Sequence, residues 1–291
     1  MRSLAEYIMR GRSQAVIVAV VTSGIPMLFW IAAAAVGLVT LRRGMKDGGI
    51  VCLWALIPAA VVAGLGEIMP LIAMPGMLLL AWVLRVSASW SWTLVGSAGM
   101  ALLFSAGLIS VGEAYLDEIT RLFTQVFEDI DTSGEAGAVL IPPTKVEVAG
   151  MFGLVHGVTL VVCLLIARWW QAMLFNPGGF GHEFKALRLS SVQGVGLILS
   201  ALALGMMGPE FRLWSWIPLT PLLFSGVGLI HNMVARTGRS GLLGVFYAAL
   251  IILPPVKQLL VVLAVMDSWM DFRARWRRPP ANGNGSSNPE E

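Results

Sequence analysis

The sequence predicts an all-α fold: a polytopic bundle of transmembrane helices. Three observations predict it. Of 291 residues, 57% are hydrophobic and only 13% charged, against ~45–50% apolar and ~25% charged in soluble domains. The charge is bunched, leaving uncharged runs at 14–41, 48–66, 68–84, 86–112, 148–167, 189–209, 213–235 and 240–256. Each run approaches the ~20 residues a helix needs to cross a bilayer core. Third, the runs do not alternate polar and apolar residues as barrel strands do; Val158 to Ala167 is apolar almost throughout. In lipid every backbone N–H and C=O must be paired within the chain, so such runs are helices.

The charged gaps assign sides. Gaps at 42–47, 85, 168–188 and 236–239 are mostly Lys and Arg, whereas 113–147 carries acids from Glu113 to Glu147 against only Arg121 and Lys145. Cytoplasmic loops are enriched in Lys and Arg. The basic gaps are therefore expected inside and the acidic insert outside. Runs 48–66, 86–112 and 189–209 then cross outward, and 68–84, 148–167 and 213–235 cross inward.

The terminal runs obey this rule only if broken. Arg10 and Arg12 precede the first run and Arg42, Arg43 and Lys46 follow it; Arg236 and Arg239 precede the last, and Arg273 to Arg278 follow it. Gly24-Ile25-Pro26 and Pro254-Pro255 interrupt them, and proline removes a helix hydrogen bond. Both runs are expected to be broken or re-entrant, with both chain ends cytoplasmic.

Within the insert, Leu116, Ile119, Leu122, Phe123, Val126, Phe127 and Ile130 recur at helical spacing. An amphipathic helix is expected over 114–130, ending at Asp131-Thr132-Ser133-Gly134. The transmembrane domain is read as 1–272, followed by a basic, then flexible cytoplasmic tail over 273–291. Tryptophans near the ends of the runs, among them Trp169, Trp170, Trp214 and Trp216, suit an interfacial belt.

Chemistry-bearing residues are few. His156 lies inside a run, flanked by Gly150, Gly153 and Gly157, and intramembrane ionisable residues are functional candidates. Lys257 follows the Pro254-Pro255 break, where unwound backbone and a cation suit an anionic ligand. Glu67 stands at the outer end of the second run. These three are the candidate ligand contacts. Cys52 and Cys163 read as small core residues, and no metal or cofactor is expected. No H-E-x-x-H or Walker A sequence occurs, and Gly238-Arg239-Ser240-Gly241 has no downstream histidine to activate Ser240. An enzyme is not expected, nor is nucleic-acid binding.

The loop Asn176-Pro177-Gly178-Gly179-Phe180-Gly181-His182-Glu183-Phe184-Lys185-Ala186-Leu187-Arg188 is the most distinctive string. After its tight turn, Phe180, Phe184 and Leu187 share one side of a short helix, with Glu183, Lys185 and Arg188 exposed. That elbow is a candidate docking surface for a cytoplasmic partner.

The apolar runs, the basic start from Met1 to Arg12 and the 176–190 string together resemble the proteobacterial branch of the YybS-like bacterial inner-membrane proteins, to about residue 275. That group is similar to the substrate-binding components of energy-coupling-factor transporters. The resemblance implies a multi-pass inner-membrane protein that takes a small ligand from outside with partner subunits. It also implies an A-x-x-x-A stripe, here Ala15 and Ala19, facing a transmembrane coupling subunit. A non-transporting scaffold or assembly factor, docking partners through 176–190, is the alternative. Membrane lipid is a partner in either case.

Overall fold

A computed structural model describes residues 1–132 and 141–275. The Ser133-Gly134 end of the insert and the tail from 276 onward lie outside the described residues. The chain is an all-α bundle, with no strand among the described residues. Among the described residues, five helices are long and apolar enough to cross a membrane, or up to eight if three bent pairs each count as one span. Outward faces of these helices are apolar, as at Leu53, Ile57 and Val61 on one helix, four residues apart. Such a face suits lipid rather than water.

The first run is folded back. A short amphipathic helix α1 (Arg2–Arg10) leads into α2 (Arg12–Ser23), a break at Ile25-Pro26, and α3 (Phe29–Arg43). Arg12, opening α2, pairs with Asp47 at 2.5 Å, and Arg43, closing α3, donates to the Met9 carbonyl at 2.8 Å. The two arms therefore run antiparallel with both ends on the basic face, as the charge pattern predicts. At the tip, Ser23 donates to the Ala55 carbonyl at 2.9 Å, and Gly24 sits against Pro58. Both partners lie on α4 (Met45–Gly64). The tip stops about 9 Å short of the end of α4, at ~1.5 Å per residue.

Helix α3 is the axis of this half. Every residue from Ala32 to Leu41 is buried, enclosed by α2, α4, α5 (Met69–Ser87) and α8 (Lys145–Phe175). The Ala32-Ala33-Ala34-Ala35 stretch makes this possible, since small side chains let helices approach closely. The same packing corrects one expectation. Ala15 and Ala19 are buried inside the bundle against this core, so they offer no free stripe to a coupling subunit.

On the acidic face, α6 (Trp90–Val111) continues through Gly112 into α7 (Glu113–Thr132). Leu116, Ile119 and Phe123 of α7 pack on the outer ends of α6 and α8. Lys145, opening α8, pairs with Asp117 at 2.6 Å and Glu113 at 3.4 Å. Helix α7 is thus the expected amphipathic helix, laid across the bundle end. The tryptophan belt needs correction at two positions: Trp170 and Trp214 are buried inside the protein. The Trp214 indole donates to the Val146 carbonyl at 2.8 Å.

The remaining elements are α9 (Gly179–Ala186), α10 (Ser191–Gly205), α11 (Thr220–Thr237), α12 (Leu242–Ile252), α13 (Pro254–Met270) and α14 (Phe272–Arg275). Helices α12 and α13 are bent by 113° at Leu253. Arg236, near the end of α11, donates to the Arg273 carbonyl at 3.4 Å, so the α12–α13 pair also leaves and returns on the basic face.

Candidate functional site

The break at Leu253 builds a cavity. Leu253 is extended, with φ −107 and ψ 102, and Pro254 and Pro255 open α13. Proline suits this place because the first helical N–H groups have no internal partner to lose. The bend sets Lys257 and Gln258 near the start of α13, facing Leu154 and Val158 of α8, Thr220 and Leu223 of α11, and Trp216. The space they line is open on one side, with Lys257 and Gln258 themselves exposed, and has a volume of about 520 Å³, within the ~300–1,000 Å³ usual for small-molecule sites. Its walls are mainly apolar, and no carboxylate pairs with the Lys257 ammonium among the described residues. The chemistry on offer is one cation, an amide and an apolar wall. Thr220 was not legible as a contributor, because only the fold brings the start of α11 beside α13.

His156 lies elsewhere. Leu154 and Val158 face the Lys257 cavity, and His156 is two residues from each, about 200° around the helix at ~100° per residue. The two candidates therefore back onto opposite faces of α8 at one level. His156 is buried, tilted against Phe104 of α6 with ring centroids 4.8 Å apart, and its Nε2 approaches Gly76 of α5. The glycines around it act as expected. A Cβ at Gly153 would stand 1.8 Å from Ser105 Oγ, and one at Gly157 would stand 3.0 Å from the Ala101 methyl. Among the described residues, neither His156 Nδ1 nor Ser105 Oγ has a hydrogen-bond partner. A buried unsatisfied polar atom costs ~1–3 kcal/mol, so this seam holds unused polar capacity.

Glu67 is on the exposed turn between α4 and α5, at the acidic rim. Its charge reaches Tyr115 of α7, whose phenol is pushed up to about 12, first by burial and then by Glu67. Tyr115 also meets Phe152 edge-on at 5.7 Å. The three predicted ligand contacts thus occupy a rim, a helix seam and a cavity, and do not converge.

The 176–190 elbow departs from expectation in its charges. Glu183 is half-buried and receives Arg168 Nε at 2.9 Å, a second guanidinium contact from Nη2, and the Trp90 indole N–H at 3.3 Å. Arg188 donates to the carbonyls of Asp267 and Ser268 at 3.0 Å each and pairs with Asp271 at 2.8 Å. Neither charge is exposed for docking. Lys185 and Phe180 turn into a cavity instead. A neighbouring space of about 350 Å³, lined by Arg85, Arg168 and Glu183, is likewise occupied with its own pairs: Arg85 donates to the Leu41 carbonyl.

Beneath the elbow lie Asp267, which the sequence did not single out, and Arg273, which it assigned to the tail. Asp267 is 0% and Arg273 6% exposed, and they pair at 3.0 Å. Arg273 also donates to the carbonyls of Lys185 at 2.6 Å and Ser225 at 3.4 Å. Arg273 therefore belongs to the folded domain rather than to the tail. A lone acid near the end of an apolar helix was the available signal.

Comparison with known proteins finds no matching family, no matching curated protein and no matching solved structure.

Proposed function

We propose that this multi-pass membrane protein binds a small anion with an apolar body in the cavity between α8, α11 and α13. Lys257 supplies the countercharge and Gln258 a hydrogen-bonding group. The observation that carries this reading is a lysine without a carboxylate partner in a mainly apolar cavity beside a broken helix. Discontinuous helices place ion and substrate sites at such breaks in many membrane carriers. The reading is in keeping with the YybS-like resemblance and with an uptake component of a bacterial inner membrane that works with partner subunits. The scaffold alternative has weaker support, since Glu183 and Arg188 are engaged within the chain.

The test is extraction in mild detergent followed by mass spectrometry of co-purifying small molecules. The wild-type protein is expected to carry an anion that Lys257→Gln loses at least tenfold, with the helical circular dichroism unchanged. Equal retention by Lys257→Gln would overturn the assignment.

A further inference from the structure

A second cavity, of about 560 Å³, lies on the basic face between α9, α11 and α12. One wall is aromatic. Phe180 stacks on Phe184 with centroids 5.9 Å apart, and Phe184 meets His231 edge-on at 5.1 Å. The His231 Nε2 and the Tyr247 hydroxyl share a hydrogen bond of 2.8 Å, which ties α12 to α11 across the cavity. Lys185 projects into the same space with Ser240 at its edge. No carboxylate pairs with the Lys185 ammonium among the described residues. The one acid of the elbow, Glu183, is held away from it by Arg168. From His231 to Leu253 the sequence holds no Asp or Glu, while Arg236 and Arg239 add positive charge.

The remaining wall is unusual. Helix α12 buries none of its residues, and Val245, Ile251 and Ile252 are more than two-thirds exposed. This apolar face opens sideways, toward the lipid that the rest of the bundle requires, and continues from the polar mouth of the cavity. A cation and hydroxyls at one end, aromatic rings in the middle and an apolar helix leading away match an amphiphile with an anionic head. Basic pockets between helices on the cytoplasmic side bind phosphate-bearing lipid heads by this arrangement.

We propose that this cavity is a binding site for an amphiphile whose phosphate head carries a net negative charge, with Lys185 supplying the countercharge, Ser240 donating a hydroxyl hydrogen bond, Tyr247 donating another while its oxygen accepts the His231 Nε2–H, and the tail lying along α12. The site is separate from the Lys257 cavity, and it stands or falls without it. It also gives Phe180 and Lys185 a role in holding a ligand rather than a protein partner.

The experiment is native mass spectrometry of the full chain in a zwitterionic detergent, titrated with phosphatidylglycerol or with phosphatidylcholine of the same chain length. Wild-type protein is expected to prefer phosphatidylglycerol about fivefold, the effect of roughly one basic contact. Lys185→Gln is expected to lose that preference, and Lys257→Gln to keep it. Lys185→Gln leaves the carbonyl that receives Arg273 in place, and an unchanged melting temperature verifies its fold. Glycerol phosphate added at millimolar concentration distinguishes the sources. Displacement of the lipid assigns the site to a soluble phosphate ester, and no displacement assigns it to the lipid. Equal binding of the two lipids, or a preference that survives Lys185→Gln in folded protein, would sink the proposal.

Discussion

Asp267 is a buried tie-point of the basic face. Its carboxylate takes the Arg273 guanidinium at 3.0 Å and the Phe272 N–H at 3.1 Å, and Arg273 in turn binds carbonyls from two other elements. Removing one partner of a buried pair strands the other charge, at ~3–5 kcal/mol. Asp267→Ala is therefore expected to lower the thermal midpoint sharply in detergent. Replacing Asp267 and Arg273 together by apolar residues should recover part of the loss. A mild effect of Asp267→Ala would show that the pair is solvated. Tyr115 gives a residue-scale pH prediction. Because its folded pKa is raised to about 12 from 10.0, the fold favours the neutral phenol. Its contribution to stability is complete below pH ~10 and falls as pH climbs toward ~12. An absorbance titration should show a late tyrosinate step that Tyr115→Phe diminishes and Glu67→Gln moves in part to lower pH. A late step untouched by Glu67→Gln would separate Glu67 from this rim.

At the scale of the element, proline breaks decide the architecture of both terminal runs. Neither arm of α2–α3 is held apart from the other; Arg12–Asp47 and Arg43–Met9 fasten their ends together. Single cysteines at Ser3, Lys46 and Ser240 are thus expected to react with an impermeant maleimide from one face of the membrane. Cysteines at Glu67 and Ser110 should react from the other. The native Cys52 and Cys163 are buried and should stay silent in folded protein. Labelling of Ser3→Cys and Lys46→Cys from opposite faces would make α2–α3 a full crossing. Helix α8 shows where run length misleads. Its uncharged stretch is 148–167, yet the helix continues past Arg168 to Phe175, because Glu183 and Gln171 satisfy that guanidinium.

At the scale of the molecule, the bundle has two unlike halves. The first is compact around α3, with small residues and methionines filling its centre. The second buries less, with no residue of α12 buried, and it contains two cavities whose lysines pair with no carboxylate among the described residues. A looser half with bent helices is where a ligand-binding membrane protein places motion, since regions with few buried apolar contacts open most readily. The sequence by itself determined the apolar solvent, the helical class, the separation of a basic from an acidic face, and the breaks. Each of these follows from one-dimensional patterns of charge, apolar run length and proline. Lys257 was legible for the same reason, as a charge beside a break. The tertiary structure alone decided that Ala15, Ala19, Trp170 and Trp214 face inward, that Glu183 and Arg188 are consumed by Arg168 and Asp271, and that His156 and Lys257 lie on opposite faces of α8. These depend on which helices become neighbours. Partners 15 to 93 residues apart leave no periodic trace in the sequence, so the fold has to bring them together before their chemistry exists.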